Sequence, residues 1–327
     1  MEDCPVELWM KIAGYACTDG GHTGCALSLV SRTMYRVVQP VRYYTVSLVG
    51  KKRLFAFSAQ CGALNLPPRV HHLLIAKVSI PCYPPDDTLQ LQVNIAVRTV
   101  LAQTAPYLCS LHIVGWEIDS AADLPIFPRL RDITLPDAPY QCAPHTHTHF
   151  PSLRRLHLLS IASAQPQFWL DVMRFAPHLT HLRLSNLTRG ERLCPFLRAL
   201  LDTPPTLRDT DAPGAPAADE TFAPGSEAAM IADTVAARLA ALRRVYVQPG
   251  LYRCAGWYGS GPVDFGEMMS GLQDIASVSA RDEGEKRLSL LPDQTYCVDE
   301  VRKGWQDMVE GGDGPWLAGH SGAGGSS

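Results

Sequence analysis

"PSLRRLHL", residues 151–158, sets Leu153, Leu156 and Leu158 in the order apolar, two others, apolar, one other, apolar, behind Pro151. A proline cannot continue a helix and pushes the residue before it towards extended backbone. Leu156 and Leu158 then alternate as the inward residues of a strand do. One copy of so common a spacing decides little, but the chain holds six. The others are Val70, Leu73 and Ile75 in "PPRVHHLLI"; Leu108, Leu111 and Ile113 in "PYLCSLHI"; and Leu130, Ile133 and Leu135 in "PRLRDITL". Leu179, Leu182 and Leu184 follow in "PHLTHLRL", then Leu242, Val245 and Val247 in "AALRRVYV". All but the last have a proline just before the first anchor.

The first anchors from Leu108 to Leu179 are 22, 23 and 26 residues apart, the period of leucine-rich repeats. Helical patterns lie between the strands: Val93, Val97, Val100 and Leu101; Phe168, Val172 and Phe175; Leu193, Phe196, Leu197, Leu200 and Leu201. A strand and a helix per unit predict an α/β solenoid, whose units bury their apolar faces on one another and leave a row of parallel strands as a binding surface. An ordinary βα domain sharing the same spacing by chance is the alternative. Near the C-terminus, "KRLSLL" reads as a strand, Met268, Met269, Leu272 and Ile275 as a helix, and Val298, Val301, Trp305 and Met308 as a last helix able to cap the solenoid end. Residues 202–225, rich in Pro, Ala, Asp and Thr, have little to bury and are expected to be a disordered insert. A disordered Gly/Ser tail is expected over 311–327.

Ahead of the repeats, "CPVELWMKIAGYA" at residues 4–16 reads as a helix, with Pro5 at its start. Trp9, Ile12, Ala13 and Ala16 share one face, and Val6, Leu8 and Tyr15 widen it beyond an ordinary core stripe, so this helix needs two burial surfaces. The loop "CTDGGHTG", residues 17–24, leads to a broad helical pattern over Ala26, Leu27, Leu29, Val30, Met34, Val37 and Val38, with a break near Ser31 and an end at Pro40. "VRYYTVSL", residues 41–48, has strand composition.

A net charge of -3 argues against nucleic acid as the main partner, since phosphate binding needs clustered Lys and Arg. The basic clusters are short: Lys51 to Arg53, Arg154 with Arg155, and Arg243 with Arg244. Each reads as a solvated face. No secretory leader and no membrane-spanning run is evident. The ten cysteines include no C-x-x-C pair, so reduced thiols in the cytosol or nucleus are expected.

"HTHTH" brings His145, His147 and His149 to alternate positions, a zinc-like set if held in a strand, yet it falls between two repeat strands where loop is expected. Solvent-facing histidines are the default, and no metal or cofactor is expected. No G-x-S-x-G, H-E-x-x-H, phosphate-binding glycine loop or dinucleotide fingerprint occurs, and "GWYGSGPVDFG" reads as a surface turn. No enzyme is expected.

The N-terminal stretch resembles an F-box, the helical module of pattern L-P-x-E-[IL]-x-x-x-I followed by apolar-x-x-V-[CS]-[RK]. Pro5, Glu7, Leu8, Ile12, Leu27, Val30, Ser31 and Arg32 carry the match, with Cys4 in place of the usual leucine and the loop of 17–24 in place of a short acidic connection. The whole chain looks like the F-box-like proteins of mushroom-forming fungi, with weak leucine-rich repeats behind the module. The resemblance implies a three-helix module over 1–48 and an irregular leucine-rich-repeat-like α/β domain over 49–310. It implies a substrate receptor of an SCF-type ubiquitin ligase: the F-box docks on a Skp-type adaptor, and through it a cullin, while the repeats hold a protein substrate. Pro5, Leu8, Trp9, Ile12, Leu27 and Val30 are the implied adaptor contacts, about half of them expected to pack the module's own core. The alternative is a repeat scaffold whose helical unit merely caps the solenoid; a metal enzyme built on "HTHTH" stands third.

Overall fold

Each apolar triad ends in a β-strand. The computed structural model describes residues 5–63, 68–77, 87–116, 124–136, 149–159, 166–187, 193–201, 226–250, 261–281, 287–292 and 298–316. Within them the chain is mixed α/β, with ten α-helices and eight strands. In order these are α1 (Val6–Ala16), α2 (His22–Ser28), α3 (Arg32–Val38), β1 (Thr45–Val49), α4 (Lys51–Ala63), β2 (His72–Ala76), α5 (Asp87–Thr104), β3 (Ser110–Val114) and β4 (Asp132–Leu135). Then follow β5 (Arg155–Leu158), α6 (Pro166–Phe175), β6 (His181–Leu187), α7 (Leu193–Leu201), α8 (Glu227–Arg238), β7 (Arg244–Pro249), α9 (Gly261–Arg281), β8 (Arg287–Leu290) and α10 (Val298–Val309). The insert at 202–225, His145 and His147, Cys4, and residues 317–327 lie outside the described residues.

The chain divides into two compact units. The first holds α1 to α5, β1 to β4 and α10; the second holds β5 to β8 and α6 to α9.

In the first unit β1, β2, β3 and β4 pair in that order, all parallel. The register places Val46 beside Leu73, Leu73 beside Leu111, and Leu111 beside Ile133, so the second anchors form one continuous row. Parallel pairing requires a crossover between neighbours, and α4 and α5 supply it after β1 and β2. All nine anchors from Val70 to Leu135 are buried. A leucine taken fully out of water contributes about 1.5–3 kcal/mol.

The residues between the anchors are buried too. Leu74, His112 and Thr134 leave no open strand face, and β3 and β4 are buried at every position. Helix α10 explains part of this, because it packs against β2 and β3 and buries Val301, Trp305 and Met308. The sequence suggests a cap at the end of the repeats; the structure instead lays this helix on interior strands of the first unit. Residues 311–316, expected in the disordered tail, belong to the fold. Gly314–Trp316 form a 3-10 turn against α10 with Pro315 and Trp316 buried. Two apolar side chains at 315 and 316 outweigh the glycines around them.

The loop after α1 is stitched to β1. The Thr45 hydroxyl donates to the Cys17 carbonyl at 2.7 Å and accepts from the Gly20 amide at 3.1 Å, and the Ser47 amide donates to the Gly20 carbonyl at 3.2 Å. Gly20 has φ +78° and sits so close that a Cβ would meet the Ser47 Cβ at 2.7 Å. Asp19 accepts from the Thr23 amide and hydroxyl, so helix α2 starts at His22, inside the stretch read as loop. The helical pattern that follows breaks at Ser31, whose hydroxyl accepts from the Met34 amide at 3.1 Å and opens α3. The strand expected over 41–48 is narrower and later, Thr45–Val49.

In the second unit β5, β6, β7 and β8 pair in parallel, with Leu156, Leu182, Val245 and Leu288 in one row. Behind them α6 stacks Trp169 on Phe196 of α7, with ring centroids 5.6 Å apart. Helix α7 packs against α9, where Gly271 lies under Cys194 and the Arg198 guanidinium meets Asp274 at 3.0 Å. The Gly-rich stretch read as a surface turn runs into α9, which begins at Gly261. The residues between these anchors include buried polar ones: His157 beside Arg183, and Ser185 beside Gln248. Ser185 donates to Gln248 Oε1 at 3.1 Å and accepts from His157 Nε2 at 2.9 Å, while an Arg183 Nη donates to the same Gln248 oxygen at 2.8 Å.

Two outcomes test this packing. Gly20→Ala forces both the backbone angle and the Ser47 contact and is expected to lower stability by about 1–3 kcal/mol in denaturant unfolding. Burial, with His71 adding a smaller push, lowers the His72 imidazole to about 4, below the ordinary 6.5 it regains on unfolding. Its neutral form bonds Ser110 at 2.8 Å. The stability from keeping it neutral is therefore complete above about pH 6.5 and is lost as pH falls towards about 4. Thermal melting is expected to fall over that window, with a shallower slope in His72→Asn.

Candidate functional site

Helices α1, α2 and α3 pack around a core of their own: Ala13, Cys17, Met34 and Val38, with Trp9, Leu27 and Val41 packed against it. This core uses the inner side of α1 at positions 9, 13 and 17, the spacing that stacks side chains one turn apart. Burial pushes the Cys17 thiol up, and Asp19 adds to the effect. A protonated thiol under this core has a packing role.

What that core leaves outside is unusual. Exposure is 48% for Leu8, 48% for Ile12, 85% for Tyr15, 86% for Leu29 and 61% for Val30. Val6 and Tyr35 are also exposed. Ile12 and Ala16, assigned from the sequence to the same face as Trp9 and Ala13, turn outward. Of the six residues singled out, Trp9 and Leu27 thus pack inward as supports, and Pro5, Leu8, Ile12 and Val30 face solvent. Pro5 is the N-cap residue of α1, with φ -56° and ψ 142°. Ser31 and Arg32 of the same motif serve the start of α3, Ser31 by capping it. A helical unit this small, with aliphatic and aromatic side chains on its outer side, presents a surface suited to an apolar partner.

Tyr15, Leu29 and Tyr35 belong to this surface and are absent from the six. The signal for Tyr15 was present in the widened apolar face of α1, and Leu29 stood in the apolar pattern before Ser31; Tyr35, in α3, was outside that pattern.

Chemistry elsewhere is sparse. Cys109 Sγ lies 3.8 Å from His71 Nδ1, and Tyr44 stacks on His71 at 4.6 Å. Burial raises the thiol against the pull of Arg131 and Arg129, and burial lowers the imidazole with help from Arg129 and Arg69. Both shifts favour the neutral pair over a thiolate and imidazolium, the reverse of what an activated cysteine needs. Among the described residues no group of three His, Cys, Asp or Glu could hold a metal. His149, the described member of "HTHTH", sits beside Phe150, whose ring stacks on Phe127 at 5.2 Å. A shallow depression of about 320 Å³ beside the 17–24 loop is lined by Gly20, Gly21, Tyr43, Ser47, Phe57 and Gln60, among others. Cys17, Cys25, Cys61, Cys109 and Cys194 form no disulfide. No helix among the described residues is long and apolar enough to cross a membrane.

Comparison with protein-family models, with curated proteins and with solved structures returned no match.

The division between support and surface has a measurable consequence. Trp9→Ala is expected to cost about 2–4 kcal/mol of stability, since it empties space against Ala13 and Met34. Ile12→Asp is expected to stay within about 1 kcal/mol of wild type, as exposed substitutions do. Urea unfolding of the two variants checks both values.

Proposed function

We propose that this chain is a non-catalytic substrate receptor of an SCF-type ubiquitin ligase, with α1 to α3 acting as an F-box-like module that docks on a Skp-type adaptor, and through it on a cullin. The observation that carries the reading is the double-sided use of the first helices. They have a core of their own, yet Leu8, Ile12, Tyr15, Leu29 and Val30 remain in water. Exposed apolar side chains gathered on a small helical unit fit a surface that is buried by a partner, and such surfaces concentrate their binding energy in a few anchors.

The strands behind the module support a repeat-type substrate domain: successive triads in register, parallel pairing and helical crossovers are what a leucine-rich-repeat-like α/β solenoid uses. The substrate is then a protein, no cofactor is needed, and the setting is the cytosol or nucleus. The neutral Cys109 and His71 pair fits a chain without catalytic residues.

The second reading, a repeat scaffold with no ligase role, is favoured by the stitching of the 17–24 loop onto β1 through Thr45, which is what an integral cap of the strands would also use.

Co-expression with a Skp-type adaptor decides between them. Wild type is expected to retain the adaptor, and Leu8→Asp and Ile12→Asp are expected to melt like wild type while losing roughly thirtyfold or more in affinity, the effect of removing about 2 kcal/mol at an interface anchor. Folded wild-type protein that retains no adaptor removes the ligase reading and leaves the scaffold.

A further inference from the structure

Two basic pairs far apart in the sequence, Arg154 with Arg155 and Arg243 with Arg244, meet at one edge of the second unit. The register aligns Arg155, His181, Arg244 and Arg287 across β5, β6, β7 and β8. One position earlier, the Thr180 amide donates to the Arg154 carbonyl, the Arg243 amide to the Thr180 carbonyl, and the Arg287 amide to the Arg243 carbonyl. These are the first residues of four neighbouring strands, spaced about 4.8 Å apart across the sheet. Arg154, Arg243, Arg244 and Arg287 are exposed, and His178, also exposed, accepts from an Arg154 Nη through its carbonyl at 3.3 Å. The described residues of these strand starts include no carboxylate. The apolar anchors one step further in fix the backbone, so the charges are held on a rigid edge.

From this arrangement we infer that the strand-start edge of the second unit, centred on Arg154, Arg244 and Arg287, is an interaction surface for an acidic polypeptide segment. The inference deepens the receptor reading and rests on it for the partner being a protein. It is also the occupant that the dimensions favour: the three spacings between four strands span about 14 Å, enough for a few carboxylates of an extended peptide, whereas nucleic acid needs a longer basic track. A net charge of -3 points the same way, since phosphate binding draws on a larger excess of Lys and Arg than this chain has.

The test is fluorescence anisotropy of a labelled oligo-glutamate peptide with the full chain, against the equivalent oligo-glutamine peptide and a single-stranded oligo-uridine. Substitutions go to Arg154 and Arg244 rather than Arg287, because Asp282, Glu283 and Glu285 stand just before Arg287 in the chain. Wild type is expected to bind oligo-glutamate, more weakly as salt rises, and not oligo-glutamine. The double variant Arg154→Glu with Arg244→Glu is expected to lose about tenfold or more, and Arg154→Gln with Arg244→Gln a smaller part, both melting like wild type. Lys51→Glu with Lys52→Glu, which removes an equal charge from the exposed start of α4 in the other unit, is expected to change little. Equal losses from the lysine and arginine pairs, no wild-type binding, unchanged binding in folded arginine variants, or tighter binding of oligo-uridine would each overturn the inference. Adaptor capture is read separately. Binding at the arginines without adaptor capture removes the ligase role alone, and the reverse result removes this surface alone.

Discussion

Lateral contact between the second anchors of successive triads is the interaction on which both units depend. Leu73, Leu111 and Ile133 in one unit, and Leu156, Leu182, Val245 and Leu288 in the other, are brought side by side by parallel pairing. A strand's side chains repeat every two residues, so a slip by one would exchange the two faces of a strand and set each anchor among the partners of its polar neighbours. The leucines therefore set the register, and the register sets everything at the strand edges, including which arginines become neighbours. The charged edge of the second unit is in this sense a by-product of its apolar row.

That dependence explains what could be read from the chain alone. The triads were legible because proline marks where five of the six begin and because an apolar residue at three fixed positions is a signal of composition and spacing. The helices α5, α6, α7, α9 and α10 were legible for the same reason. Helix α4 was not, since its start carries three basic residues and Ser58 and Gln60 fall between its buried Phe57 and Cys61. The burial of Leu74, His112, Thr134, His157 and Arg183 was also hidden. A polar residue between two leucines reads as solvent-facing, and its burial depends on hydrogen-bond partners from other strands, such as Ser185 for His157 and Gln248 for Arg183.

The candidate site shows the same limit. Periodicity finds that α1 has more apolar surface than one core can use, but it cannot say which residues the core takes. That choice is made by Met34 and Val38 of α3, which select Trp9, Ala13 and Cys17 and leave Leu8, Ile12 and Tyr15 outside. The loop at 17–24 was legible as a loop by its glycines, whereas its attachment rests on a threonine more than twenty residues away. Thr45 accepts from Gly20 and donates to Cys17, so one hydroxyl joins the helical module to the first strand.

Helix α10 joins the last described segment of the chain to strands laid down near its beginning. The side chains of Val301, Trp305 and Met308 are buried in the unit that contains β2 and β3, although most of the second unit lies between them in the sequence. During synthesis the early strands emerge long before the helix that helps to cover them, and contacts so distant along the chain form late. The nascent first unit must therefore wait, with apolar surface uncovered, until α10 has been made. A message truncated after the second unit would yield a product with complete helices α1 to α3 and a permanently open first unit, and quality-control machinery would meet it as a misfolded protein.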